Sequence, residues 1–384
     1  MHTSTMRRSA RAGLALVASA CLLASCQNPD SRPEEQTSAA APESSAPHSA
    51  TSAASAETTE ASAAEGEGPH ATAEGHVVVL STGGTIASTH DKTGAVVPTV
   101  TGSKLVEPLS GTFDKDKLTL EVKDIAKLDS SAMTLDDTDT IIEAVNKELQ
   151  RDDVDGVVVT HGTDSMEETA IAVDTFQDSD KPVALTGAMR PFDDPDPDGP
   201  DNLALAVKTV TDPSNKGRGT FIAFADHVIP ARGAFKSDTT KADGFANNNG
   251  KKQPQRPKAL KFKPLGNTRV DIIAAYPGAP ADLIQRSLDS GAEGIVIEGM
   301  GAGNIGDELA QAAKAAAKKV PVVLTTRVDH GPVEGIYGGA GGGATLADAG
   351  VISSGTLRAP QARMLLAAAI TTDADPAELF PDAD

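Results

Sequence analysis

Residues 155–169 read Asp-Gly-Val-Val-Val-Thr-His-Gly-Thr-Asp-Ser-Met-Glu-Glu-Thr, and their order decides the fold. The run Val157-Val158-Val159 is too short for a helix and is β-branched throughout, the pattern of a strand covered on both faces in a parallel sheet. His161-Gly162-Thr163-Asp164 turns the chain at the strand's carboxyl end, and Met166, Ala170, Val173 and Phe176 then keep helical spacing. Ligands of open α/β sheets bind at such turns, where a helix start adds free N–H groups and positive potential. Thr163 and Asp164 are therefore candidate site residues. Asp164 with Glu167, or Ser165 with Glu168, is also a capping pattern, and a cap needs no ligand.

Working outward, a second turn of the same kind follows Val77-Val78-Val79-Leu80: Ser81-Thr82-Gly83-Gly84-Thr85-Ile86. Its glycines permit a sharp turn and close backbone approach, and they place Thr85 at a strand's carboxyl end. The turn lacks the Gly-Lys-Ser/Thr ending of a phosphate-binding loop. Ser88 to Gly102 reads as a flap, and Leu118 to Val122 as an alternating strand. Ser130 and Ser131 fall between that strand and a helix opened by Thr134 with Asp137. Further strands at Pro182–Thr186 and Thr220–Asp226 continue a βα series, hence a parallel sheet with helices on both faces. The polar segment from His227 to Asn249 contains Lys236, whose position alone reads as a solvated charge.

Lys251 to Thr268, rich in lysine and proline, reads as an interdomain connection. Beyond it, strands near Ile272–Ala275, Gly294–Ile297 and Val322–Thr325 alternate with helices near Ala281–Leu288, Ile305–Lys318 and Gln361–Ala368. The expected fold class is thus α/β, with a larger N-terminal parallel-sheet domain over residues 76–260, a linker at 261–268 and a smaller C-terminal α/β domain over 269–384.

The first residues read differently. Arg7, Arg8 and Arg11 precede an apolar segment, Gly13 to Ala24, too short to span a bilayer and laid out as an export signal over residues 1–25. Its end, Leu23-Ala24-Ser25-Cys26, resembles a bacterial lipobox, which implies that Cys26 is a lipid anchor. From Gln27 to Gly75 there is no Val, Ile, Leu, Met or aromatic residue, so residues 26–75 are expected to form a disordered tether. The chain is expected to be exported, either lipid-anchored or secreted.

Cys21 and Cys26 are the only cysteines, which excludes disulfides, Cys-ligated metals and thiol catalysis from the exported body. The 34 lysines and arginines face 54 acidic residues, and loss of the three leader arginines moves the formal charge from −20 to −23. Nucleic acid and anionic membrane surfaces would repel such a body, which points to a small substrate.

Thr82-Gly83-Gly84-Thr85-Ile86-Ala87 and His161-Gly162-Thr163-Asp164-Ser165-Met166-Glu167-Glu168-Thr169 resemble the two signature turns of bacterial L-asparaginases. Leu185-Thr186-Gly187-Ala188-Met189-Arg190-Pro191, Gly199-Pro200-Asp201-Asn202-Leu203, and Ser353-Ser354-Gly355-Thr356-Leu357 with Gln361-Ala362-Arg363 are similar to that family too. The resemblance spans residues 76 to 370. It implies hydrolysis of the L-asparagine side-chain amide through a threonine acyl-enzyme, in homotetramers whose sites form between subunits. By resemblance Thr85 is the nucleophile, Thr163 with Lys236 the second catalytic group, and Asp164 the residue that holds it and pairs with the substrate α-ammonium. Ser130 is implied as the α-carboxylate ligand, with Ser131 beside it. No metal and no cofactor are implied. The family's flap tyrosine is replaced in Gly94-Ala95-Val96-Val97-Pro98 by valine, and Asn304 is the contact expected from a neighbouring subunit.

Chemistry agrees with these roles, since a threonine hydroxyl needs a partner that takes its proton and a partly desolvated lysine can serve. Glutaminase or mixed activity is the near alternative, and a non-catalytic amino-acid-binding lipoprotein is the alternative of another class. Gly301-Ala302-Gly303-Asn304-Ile305-Gly306, with Asp329 after the next strand, is a formal dinucleotide fingerprint, but no residue set suited to hydride transfer accompanies it.

Overall fold

Residues 73–250 and 254–380 are described by the computed structural model. The export signal, Cys26 and nearly all of the expected tether lie outside the described residues. Strand β1 (Gly75–Gly83) leads into a hairpin of β2 (Ser88–His90) and β3 (Val96–Pro98), and α1 (Gly102–Val106) precedes β4 (Leu118–Leu128). There follow α2 (Leu135–Leu149), β5 (Gly156–Thr160), α3 (Met166–Phe176), β6 (Val183–Thr186), α4 (Gly199–Thr211) and β7 (Thr220–Phe224). Short strands β8 (His227–Pro230), β9 (Ala234–Lys236) and β10 (Phe245–Asn247) end the first half. The second half runs β11 (Val270–Ala274), α5 (Asp282–Asp289), β12 (Gly294–Gly299), α6 (Asp307–Ala316), β13 (Val322–Thr326), α7 (Gly343–Ala347), β14 (Ile352–Ser353) and α8 (Ala359–Thr372).

The larger sheet has the order β4-β1-β5-β6-β7-β8, parallel except for β8, and the smaller one β11-β12-β13-β14, parallel throughout. The unbroken valine runs are explained by burial on both faces. Val78, Leu80, Val157 and Val159 pack on one side with Ile141, Ile142 and Val145 of α2 and Met166 and Val173 of α3. Their neighbours Val77, Val79 and Val158 pack on the other with Leu105 of α1 and Leu203 and Val207 of α4. Each fully buried valine or leucine contributes roughly 1.5–3 kcal/mol, so a polar side chain at Val157, Val158 or Val159 would be costly.

Helix α8 is buried nearly all round, from Ala359 through Ala369. It packs against α3 of the larger domain and β11, β12 and β13 of the smaller one, and Arg363 Nη1 lies 3.1 Å from Glu168 Oε2. The stretch before β11 is likewise pinned: the N–H groups of Leu265 and Gly266 donate to the Asp139 carboxylate of α2 at 2.8–3.0 Å.

Two local expectations differ from the structure. Lys236, whose position alone reads as a solvated charge, is instead largely buried on a segment that carries β8, β9 and β10, anchored by Phe235 and Phe245, the latter 5.2 Å from Phe224 between ring centroids. The capping pattern at the start of α3 is not used, since Ser165 is the N-cap residue and makes no side-chain cap bond. By contrast, the capping box of α2 forms as expected between Thr134 and Asp137.

Candidate active site

Three neighbouring strands deliver three turns to one place. β4, β1 and β5 are adjacent in the sheet, and they end at Ser130, Thr85 and Thr163 respectively. How closely the turns approach is read from their glycines. A Cβ on Gly84 would lie 2.4 Å from the Gly162 nitrogen, and one on Gly162 would lie 2.3 Å from Ser130 Oγ. Gly84 also has φ of 79°, a conformation that other residues rarely adopt. Gly84 N–H donates to the Leu128 carbonyl at 3.1 Å, and Thr82 Oγ1 to the Thr160 carbonyl at 2.7 Å, so β1 is tied to the strands on both sides.

Thr85 opens a single 3-10 turn, Thr85–Ala87, and among the described residues its hydroxyl has no hydrogen-bond partner. Ser130 is buried, and its Oγ accepts the Asp164 N–H at 3.2 Å. Ser165 Oγ donates to the Ser130 carbonyl at 2.7 Å, so the side chain that would cap α3 instead holds the neighbouring turn. Ser131 is exposed, and its hydroxyl donates to Asp129 Oδ1 at 2.8 Å.

Lys236 is brought to these turns by β9. Its Nζ donates to Thr163 Oγ1 at 2.9 Å and to Asp164 Oδ1 at 2.7 Å, while its side chain is only 20% exposed. Because Thr163 Oγ1 accepts from the ammonium, its own O–H is left to point at a reacting atom. The sequence-predicted residues Thr163, Asp164 and Lys236 are therefore in direct contact, with Ser130 bonded to the same turn. Thr85 is joined to them through Gly84 packed on Gly162. A cavity of about 260 Å³ opens beside Ser130, Ser131 and Asp164.

Several residues that hold this arrangement escaped the sequence reading of roles. Asp198 accepts the N–H groups of Met189 and Arg190, each at 2.9 Å. Asn202, buried, donates to the Gly187 carbonyl at 3.0 Å and accepts the Ala225 N–H at 2.8 Å, fixing the turns after β6 and β7. His161 is fully buried: its Nδ1 pairs with the Gly162 carbonyl at 2.7 Å and its Nε2 with Thr169 Oγ1 at 3.0 Å. Burial lowers its pKa to about 4, so the ring is neutral. Burial raises the Glu167 carboxyl to about 7, offset in part by the Lys236 N–H that it accepts. Glu168 is also raised by burial, against the pull of Arg363.

The flap of residues 88–98 is the β2–β3 hairpin, in which Val96 is 46% exposed. His90 latches it to the loop after β6, its N–H and Nδ1 lying 2.9 and 3.0 Å from the two Asp193 oxygens. In the smaller domain the Gly301–Gly306 turn folds on itself by a bridge between Met300 and Asn304, and α6 begins with Asp307 and Glu308. Two carboxylates at a helix start oppose a pyrophosphate, which weighs against a dinucleotide there.

Family models agree with this layout: one described as asparaginase, N-terminal, matches residues 76–257, and one described as glutaminase/asparaginase C-terminal domain matches residues 269–380. The chain is 34% identical over 341 residues to L-asparaginase 2 of Escherichia coli, covering 80% of this chain and 92% of that one. It is 32% identical over 324 residues to L-asparaginase 2 of Bacillus subtilis, covering 79% and 84%. A crystal structure of a probable cytoplasmic L-asparaginase from Campylobacter jejuni superimposes with a TM-score of 0.68 at 30% identity, over 81% of this chain and 100% of that one. With both domains matched and the turns of β1, β4 and β5 packed against one another, the chain belongs to the asparaginase family.

Proposed function

We propose that this chain hydrolyses the side-chain amide of L-asparagine to L-aspartate and ammonia, with Thr85 as nucleophile. The observation that carries the reading is the Lys236 ammonium bridging Thr163 Oγ1 and Asp164 Oδ1 at the turn packed against that of Thr85. Thr85 Oγ attacks the amide carbon, and its proton goes to the departing nitrogen, which leaves as ammonia. The resulting ester on Thr85 is cleaved by water, which gives its hydroxyl to the acyl carbon and its proton, relayed through the Thr163 hydroxyl that Lys236 holds in place, to the departing Thr85 oxygen, releasing aspartate and restoring Thr85. Asp164 holds Lys236 and pairs with the substrate α-ammonium, while Ser130 and Ser131 receive the α-carboxylate.

Export through residues 1–25, anchoring at Cys26, and residues 26–75 as a tether belong to the same proposal, as do domains at 76–260 and 269–384 joined by 261–268. So does a homotetramer in which Asn304 meets a neighbour's site. Among the described residues no helix is long and apolar enough to cross a membrane, so attachment would rest on the lipid. A relative at 32% identity, from Haemophilus influenzae, is a probable periplasmic L-asparaginase. Glutamine is the near alternative substrate, because one methylene shifts discrimination by only about 1–3 kcal/mol.

Ammonia release from asparagine and from glutamine by the full chain tests the reading, beside Thr85→Ala and Thr163→Ala. Release on asparagine that falls at least about 100-fold in each variant is expected. Binding of asparagine without turnover by the unaltered chain would replace the enzyme with the binding-protein alternative.

A further inference from the structure

Lysine placed at an active site is useful only if both ends of its side chain are held. The ammonium of Lys236 is held by Thr163 and Asp164, but those bonds say nothing about what fixes its main chain. Lys236 is the last residue of a three-residue strand, paired to one neighbour only, and such a strand is a weak support.

We propose that Glu167 is the positioning residue of the site: its side chain, accepting the Lys236 main-chain N–H, sets the distance between the lysine and the Thr163–Asp164 turn. This rests on the proposed role of Lys236. Glu167 Oε2 accepts that N–H from the first turn of α3, only three residues beyond Asp164. The lysine is thereby bound to α3 at its backbone and to the turn preceding α3 at its tip, which closes a ring of contacts around one side chain. Gln361 of α8 braces the ring from the smaller domain. Its Oε1 accepts the Gly233 N–H at 2.9 Å, and its Nε2 donates to the carbonyls of Ala231 at 2.7 Å and Glu167 at 3.2 Å.

A different reading of Glu167 is a favourable acid at a helix start, beside Glu168. That role works at the surface and needs no burial. Glu167 is only 8% exposed, and burial raises its carboxyl to about 7, so the residue costs stability where it stands. A group retained at such a cost, and aimed at the lysine's backbone, is explained by function.

The test separates reach from charge. Glu167→Gln keeps the length of the side chain and an oxygen that can accept the N–H, but loses the charge. Glu167→Asp keeps the charge and withdraws the oxygen by one methylene, and Glu167→Leu fills the space with no acceptor. With the full chain and asparagine, Glu167→Gln is expected to stay within about threefold of the unaltered kcat. Glu167→Asp and Glu167→Leu are expected to lose about 10- to 100-fold in kcat while KM moves less than threefold, as for a misplacement of about an ångström. Kcat for Glu167→Asp equal to or above that of Glu167→Gln would overturn the proposal, as would an unchanged kcat in folded Glu167→Leu. The Asp–Gln order decides the matter even if the leucine variant does not fold. Lys236→Met, run alongside, keeps the two readings apart. An active Lys236→Met removes the role of Lys236 itself, whereas an inactive one beside a flat Glu167 series removes only the positioning role.

Discussion

Two helices of the larger domain start with nearly the same chemistry and use it in opposite ways. At α2, Thr134 and Asp137 bond each other's backbone N–H groups in a reciprocal cap. At α3, Asp164, Ser165, Glu167 and Glu168 offer the same residue types, yet no side-chain cap bond forms. Asp164 goes to the Lys236 ammonium, Ser165 to the Ser130 carbonyl, Glu167 to the Lys236 N–H and Glu168 to Arg363. Local stabilisation is given up at α3 so that one helix start can organise residues from β4, β9 and α8. A capping pattern in sequence therefore states what a helix start can do, and tertiary partners decide what it does.

The largest expected contrast lies in the dependence of stability on pH. Glu167 titrates near 7 in the folded protein and near 4.5 when unfolded, so between these values the folded state binds more protons and stability falls as pH rises. His161, lowered to about 4 from 6.5, acts in the other direction: the unfolded state binds more protons between those values, and stability rises with pH. Each contribution is about 3 kcal/mol, and over pH 4.5 to 6.5 they oppose one another. Glu167→Gln should unmask the histidine. Its denaturant midpoint is expected to climb relative to the unaltered chain from pH 4.5 to 7.5, and parallel curves would show that Glu167 is not held as a buried carboxyl.

A smaller contrast, about 1–3 kcal/mol, is expected for Gly162→Ala. Its Cβ would stand 2.3 Å from Ser130 Oγ and 2.7 Å from Ser130 Cβ, so the Ser130 turn must move. Equilibrium unfolding should register the lost stability, and KM for asparagine should rise with it. An unchanged KM would mean that Ser130 does not touch the substrate.

The sheet and its threonine turns were legible because valine runs and paired glycines act locally. Val157 to Val159 need no knowledge of distant residues to be read as a strand, and the glycines at 83–84 and 162 mark the places where backbones nearly touch. Lys236 was legible only through family resemblance. Its local surroundings are polar, β9 is three residues long, and its partner Thr163 is 73 positions away. Glu167 and Gln361, 194 positions apart, lay further out of reach. In sequence Glu167 satisfies a cap, and nothing local says that its oxygen is taken by another strand.

The smallest expected effects bear most directly on the two helix starts. Thr134→Ala removes a cap that α2 uses, so it should cost about 1 kcal/mol of stability and leave kcat and KM for ammonia release where they are. Ser165→Ala removes a hydroxyl that caps nothing, so the start of α3 loses no bond of its own. What it loses is the 2.7 Å tie to the Ser130 carbonyl, worth about 0.5–1.5 kcal/mol, and with it the placement of the Ser130 hydroxyl. KM should therefore rise severalfold in Ser165→Ala and not in Thr134→Ala, even with thermal unfolding moved by similar amounts in both. Equal stability losses with KM unchanged in both would mean that Ser165 acts as ordinary scaffold, and the contrast between the two helix starts would then rest on Asp164 and Glu167 alone.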